Sequence, residues 1–145
     1  DEERQLDWFL LLYPKHSFSQ RYVKELNKYY KSTPALWQND CDWNGFRWHV
    51  VDDNTNNVFA FSRIDNSGKE VLVVSNFSGQ ILKGYEIGVD TWGNYKISLN
   101  SDAKKYDGTA LQNRNLKTLN KKKNNFQYTL SINIPPYATM YIEKK

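Results

Sequence analysis

The hydrophobic period of this chain changes once, at Pro34, and that change limits the folds open to it. Downstream, Tyr128-Thr129-Leu130-Ser131-Ile132-Asn133-Ile134 alternates apolar and polar residues strictly. Successive side chains of a strand point to opposite faces, so this pattern marks a strand with one face buried. The same reading gives strands at Phe46–Val51, Val58–Arg63, Val71–Phe77, Gly84–Val89, Asn94–Leu99, Phe126–Ile134 and Ala138–Glu143. Turn residues separate them: Asp52-Asp53-Asn54, Asp65-Asn66-Ser67-Gly68 and Pro135-Pro136. Short strands at such regular spacing predict an antiparallel sandwich or barrel. The Asp65–Gly68 turn is expected to close a hairpin. Residues 101–125 are polar and weakly patterned, which predicts a long loop with one short strand near Leu116–Leu119.

Upstream of Pro34 the period is helical over 17–31, with Val23, Leu26 and Tyr30 on one stripe. Arg21, Lys24, Glu25 and Lys28 form the polar face. Ser17 or Ser19 is the expected N-cap. Thr33-Pro34 is the expected end, because a residue before proline disfavours the α region. Pro14 separates this helix from an apolar run, Leu6–Tyr13. The expected architecture is therefore mainly β: an antiparallel β-sandwich preceded by one amphipathic α-helix. Two readings of the head stay open, a helix covering the sandwich or a severed piece of a larger domain.

The chain has 145 residues, enough for one domain with its own core. One cysteine, Cys41, excludes an internal disulfide framework and fits a reducing compartment. The run at Leu6 is far shorter than the roughly 20 residues a membrane span needs, and it lacks the flanks of a signal peptide. Net charge is only +4. The one dense basic run, Lys121-Lys122-Lys123, lies among asparagines and reads as a solvated loop tip. Neither a membrane nor a nucleic acid is expected as a partner.

No self-contained active site is legible. Asp52-Asp53 is the obvious carboxylate pair, but neighbours on a strand point to opposite faces, and a solvated turn follows. His16 and His49 are the only histidines; no serine elbow and no glycine-rich phosphate loop occurs. Cys41 lies between Asp40 and Asp42, a poor setting for a nucleophilic thiolate. No catalytic residue, metal site or cofactor is expected. What remains is aromatic. Trp48 reads as core, between Phe46 and Val50, and Trp92 as structural at a strand entry. Trp37 and Trp43 lie near turns and are either packed or exposed; an exposed indole offers a face on which a sugar ring stacks.

The segments "LDWFLLLYPKH", "QRYVKELNKYYKSTPAL", "GFRWHVVDDNTNNVFAFSR", "VLVVSNFS", "YEIGV", "NSDAKKYDG" and "YTLSINIPPYATMYI", in this order and spacing, resemble the C-terminal end of bacterial 1,4-α-glucan (glycogen) branching enzymes of the α-amylase superfamily, glycoside hydrolase family 13. The resemblance covers nearly the whole chain. It departs from the family at Ser17, where glycine is usual, at Trp37-Gln38, at Ser78-Gly79 and at Asp107. These positions read as loops.

The resemblance implies that residues 1–33 are the last loop and helix of a (β/α)₈ catalytic barrel and 34–145 an all-β C-terminal domain. Loops after strands line the active face of such barrels, so Asp7 and Trp8 are expected near the rim of the glucan cleft; Trp37 and Trp43, from their places near turns, are the further candidates for carbohydrate contact. The implied reaction moves α-1,4-glucan segments to α-1,6 branch points by a retaining two-carboxylate mechanism. Those carboxylates belong to earlier barrel strands, so this piece is expected to be inactive alone. The implied partners are α-glucan and the missing barrel, in a cytoplasmic enzyme. Without the barrel, the helix and Trp8–Leu12 are expected to fold back on the sandwich or to pair between copies. Two alternatives stand beside this: an independent α-glucan-binding module, and the C-terminal domain of a related debranching or amylase-type enzyme.

Overall fold

The computed structural model describes residues 5–111, 113 and 116–145. Among the described residues eight strands form: β1 (Phe46–Asp53), β2 (Val58–Ile64), β3 (Glu70–Asn76), β4 (Leu82–Val89), β5 (Tyr95–Asn100), β6 (Thr118–Leu119), β7 (Tyr128–Ile134) and β8 (Thr139–Lys144). They pair antiparallel into a five-stranded sheet, β1-β2-β3-β8-β5, and a three-stranded sheet, β4-β7-β6. The mainly-β sandwich expected from the alternation is what forms.

The inner faces meet in one core. Ala60, Val74, Met140 and Ile142 come from the larger sheet, and Ile87, Leu130 and Ile134 from the smaller; all are fully buried. The β2–β3 hairpin closes at the expected turn. There Asp65 Oδ1 accepts from the Ser67 and Lys69 amides and the Ser67 hydroxyl, while Gly68 takes φ +81°, a conformation glycine adopts at least cost.

The head is a 3₁₀ helix, Trp8–Leu12, followed by α1 (Pro14–Ser32). Pro14 does not separate the helix from the lead-in. It occupies the first helical turn, where its fixed φ is favourable and its missing N–H costs nothing. Neither expected N-cap serves: Tyr13 stands at that position with no side-chain bond, and the Ser17 hydroxyl donates to the Pro14 carbonyl inside the first turn. The expected end holds, with Thr33 outside the α region before Pro34.

The docked face of α1 is not centred on Val23/Leu26/Tyr30. Tyr22, Glu25 and Tyr29, also three and four apart, meet the β-domain. Tyr22 packs edge-on against Tyr106, and Tyr29 against Tyr141. Tyr29 donates to Glu143 at 3.1 Å, and Glu25 takes Lys105 and the Tyr106 hydroxyl. The segment around Lys105 and Tyr106 is a self-braced loop: Asp102 accepts from the Thr109 amide and hydroxyl, and Asp107 is left-handed. Val23 and Tyr30 stay exposed, and no residue of α1 or of Trp8–Leu12 is buried. The Lys121–Lys123 run is more than a solvated tip, since Lys121 holds both oxygens of Glu86 at 2.8 Å.

Candidate functional site

A β-bulge decides where the aromatics point. In β1, Trp48 pairs with Phe61, yet Val50 pairs with Ala60, the next residue on β2. One extra residue, His49, is thus inserted, and the strand changes face across it. Val50 turns to the core, while Trp48 stays on the outer face and is 46% exposed. The expectation that Trp48 is core fails for this reason.

His49 itself turns inward and is buried. Its Nδ1 lies 2.7 Å from the Gly88 carbonyl, which only accepts, so that nitrogen carries the proton. Nε2 lies 2.7 Å from the Ser62 hydroxyl and 3.4 Å from the Glu70 carboxylate. Burial alone raises the Glu70 carboxyl, but the neighbouring His49 ring and Ser62 hydroxyl outweigh it and hold it below its ordinary value. Histidine, serine and carboxylate therefore meet, but not as a triad. Serine and glutamate share one ring nitrogen, and Ser62 is fully buried. This cluster ties β1 to β4 across the sandwich; the lone histidine in a strand pattern gave no sign of it.

The Asp52-Asp53 pair is likewise structural. It ends β1, and Asp53 accepts from Tyr85 at 2.6 Å and from Asn56. Burial pushes Asp53 up, but those bonds prevail and its carboxyl is lowered. Among the described residues, no group of three or more His, Cys, Asp or Glu is placed to hold a metal ion.

The outer face of the five-stranded sheet is only partly covered. Ala35 and Leu36, in the 3₁₀ turn after α1, pack on Val71, Val73 and Tyr141. Toward the β1 edge the face stays open as a cleft of about 470 Å³ lined by Asp40, Cys41, Asp42, Trp43, Phe46, Trp48 and Arg63. Trp43 is 86% exposed on the 3₁₀ turn Trp43–Gly45. Its backbone is nevertheless pinned. Asp42 accepts from the Asn44 amide at 2.9 Å, Asn39 donates to the Ile64 carbonyl at 3.1 Å, and Asp40 pairs with Arg63. Gly45 is required here, because a Cβ would meet Asn39 at 2.3 Å. Trp48 stands nearly perpendicular to Phe46, at 5.0 Å, and Phe61 stacks behind Phe46 at 5.4 Å. The Nε of Arg63 is buried and has no hydrogen-bond partner among the described residues. The arrangement offers two aromatic faces with acceptors and a guanidinium at their rim.

Of the four sequence candidates, only Trp43 lines this cleft. Trp37 is half-exposed beside it in sequence, in the loop after Leu36. Asp7 and Trp8 lie on the lead-in, which packs against α1, and both are exposed. Phe46, Trp48 and Arg63 were missed, because only the pairing of β1 with β2 brings them beside Trp43. A larger groove, about 720 Å³ by β5, is lined by Lys96, Lys117 and Lys145 and shows no exposed aromatic face.

Comparison with known proteins gives a consistent picture. The family model "Alpha amylase, C-terminal all-beta domain" matches residues 48–145. A 1,4-alpha-glucan branching enzyme of Photobacterium profundum is 39% identical over 143 residues, covering 97% of this chain and 20% of that protein. The branching enzyme of Prochlorococcus marinus is 41% identical over 135 residues, 92% of this chain and 18% of that protein. The chain thus spans about a fifth of the length of the curated relatives it matches. The crystal structure of an alpha-amylase from H.orenii shares the fold with a TM-score of 0.50 at 18% identity, over 86% of this chain and 20% of that one.

Proposed function

Because this chain belongs to the α-amylase C-terminal all-β domain family, we propose that it is the non-catalytic C-terminal part of a 1,4-α-glucan branching enzyme. The observation that carries the reading is similarity over 97% of the chain to such an enzyme, helix and lead-in included, whereas the domain family itself begins at residue 48. A free-standing β-domain has no need of the extra segment. In the branching-enzyme reading residues 1–33 are the last loop and helix of the catalytic barrel, and 34–145 close the protein. Phe9, Leu12, Val23 and Tyr30, all exposed here, then form the seat of the barrel. A large exposed apolar patch is rarely left bare.

The parent enzyme, in this reading, is cytoplasmic and transfers α-1,4-glucan segments to α-1,6 positions in glycogen synthesis. Its acid and nucleophile are carboxylates on the barrel, and this chain contributes none. Among the described residues, no helix is long and apolar enough to cross a membrane. Asp7 and Trp8 stay assigned to the rim of the barrel's glucan cleft, Trp37 and Trp43 to glucan contact on the β-domain.

The test is enzymatic. The purified chain leaves the iodine spectrum of amylose unchanged, and the longer polypeptide that carries it behind a barrel shifts that spectrum to shorter wavelength. A shift produced by the chain alone, or none from the longer polypeptide, overturns the reading.

A further inference from the structure

We propose that the groove between α1 and the edge strand β5 binds phosphoryl groups, held by Arg21, Lys24 and Lys28. The groove measures about 600 Å³, with these cations on the helix wall and Ser98 on the sheet wall. It lies apart from the glucan and barrel contacts assigned above and depends on neither.

Three observations point to an anion. The first is which hydrogen-bonding groups remain free. The hydroxyls of the groove already donate elsewhere: Ser32 to the Tyr29 carbonyl, and Tyr29 and Ser98 to Glu143. The Glu25 carboxylate takes Lys105 and the Tyr106 hydroxyl. Lys24 and Lys28 have no ion-pair partner among the described residues, and Arg21 uses one N–H on the Lys105 carbonyl, at 3.3 Å. Ammonium and guanidinium groups donate and never accept. The groove therefore offers charged donors, and their complement is a ligand that accepts only and is negative. A phosphoryl group meets both conditions, whereas sugar hydroxyls must also donate.

The second is charge. Three cations face one carboxylate, and Lys105 already neutralises that carboxylate. A concave surface of one sign concentrates counter-ions. The third is geometry. Residues 21, 24 and 28 share one side of a helix with about 3.6 residues per turn, in a row about 10 Å long. Adjacent members clamp one phosphoryl group, and the whole row reaches two. Arg21 is set in advance, with its guanidinium over the Phe18 ring at 5.9 Å and tied to the Lys105 carbonyl, so less ordering opposes binding. The row flanks the docked stripe Tyr22/Glu25/Tyr29 on one side, and Val23 and Tyr30 flank it on the other. A partner seated on Val23 and Tyr30 leaves the groove open.

Titration of the chain with pyrophosphate at about 0.15 M salt, followed by calorimetry, tests this. Saturable binding is expected. Lys24→Gln and Lys28→Gln should each weaken it about three- to fivefold, and both together about tenfold or more, the scale of exposed charge pairs. Lys122→Gln removes the same charge from the exposed loop before β7 and should leave binding unchanged. Lys24 and Lys28 are exposed, so their variants keep the fold, and an unchanged circular dichroism spectrum verifies that. No saturation at millimolar pyrophosphate, equal loss in Lys122→Gln, or full affinity in the double variant overturns the proposal. A second titration with glucose 1-phosphate separates the sources of the phosphoryl group. Tighter binding than pyrophosphate supports a phosphate ester, weaker binding supports a free diphosphate, and equal binding of unphosphorylated glucose overturns the proposal.

Discussion

Strand β7 and helix α1 are both amphipathic, yet the molecule holds them in opposite ways. In β7, Leu130, Ile132 and Ile134 are at most 1% exposed and interlock with the other sheet. In α1 no residue is buried at all. Its hold on the sandwich is a seam of tyrosines and carboxylates: Tyr22 on Tyr106, Tyr29 on Tyr141 and Glu143, Glu25 on Lys105. Burial of apolar area is the dominant folding force, whereas exposed ion pairs contribute little. The sandwich thus holds the buried hydrocarbon, while the helix is tethered by polar and aromatic contacts and leaves Val23 and Tyr30 exposed.

The sharpest way to break this contrast is to remove equal amounts of hydrocarbon from both. Ile132→Ala opens a cavity in the core and should cost about 2–5 kcal/mol, read from the urea midpoint. Leu26→Ala, on the half-exposed flank of α1, should cost under about 1 kcal/mol. Equal shifts in the two midpoints would mean that helix and sandwich form one cooperative core.

Tyr29→Phe probes the seam. It deletes the hydroxyl bond to Glu143, and the carboxylate keeps Ser98, Lys69 and Lys96 nearby. A bond to a charged group is worth about 1.5–3 kcal/mol net, and the partners that remain place this one at the lower end. Amide exchange should accelerate in 14–32 and stay unchanged in β7. Acceleration in both would show that the seam supports the sandwich too.

The same contrast explains what was legible in the residues. A strand that buries one face of a sandwich has a partner almost everywhere along it, so alternation alone located Tyr128–Ile134 and its neighbours. Local chemistry also sufficed for the Pro34 boundary and the Asp65–Gly68 turn. The docked face of α1 was not legible, because it is chosen by Tyr106, Tyr141 and Glu143, some 80 or more residues away in sequence, and periodicity weighs only apolar content. Trp48 was misplaced by a single inserted residue, the bulge at His49, which leaves no mark in the pattern. The candidate site was half legible for the same reason: Trp43 announces itself between turn residues, but Phe46, Trp48 and Arg63 join it only through strand pairing. Asp7 and Trp8 came from family resemblance alone.

Acid should separate the two regions most finely. Burial alone would raise the Glu143 carboxyl, but the Ser98 hydroxyl, Lys69, Tyr29 and Lys96 together hold it below its ordinary value. Its folded form therefore binds a proton less readily than its unfolded form. The stability it contributes is complete above the unfolded value, about 4.3, and is lost as pH falls through the lower folded value. Glu25, lowered by its bonds from Lys105 and Tyr106, follows the same sign. Asp65 and Glu70 in the sandwich are lowered as well, but there the buried hydrocarbon remains after protonation. Between pH 7 and 5 neither region should change. Below about pH 4 the α1 amides should lose protection first, with β7 still closed, because α1 has no apolar reserve once its carboxylates are neutral. Alkali should act on the seam with the opposite sign. Tyr22 is pushed up to about 12, by burial first and then by Tyr141 and Tyr106, so its contribution is complete below the ordinary tyrosine value of about 10 and is lost as pH rises through about 12. Simultaneous loss of α1 and β7 protection in acid would show that the polar seam, and not the absence of a buried face, was the wrong place to divide the molecule.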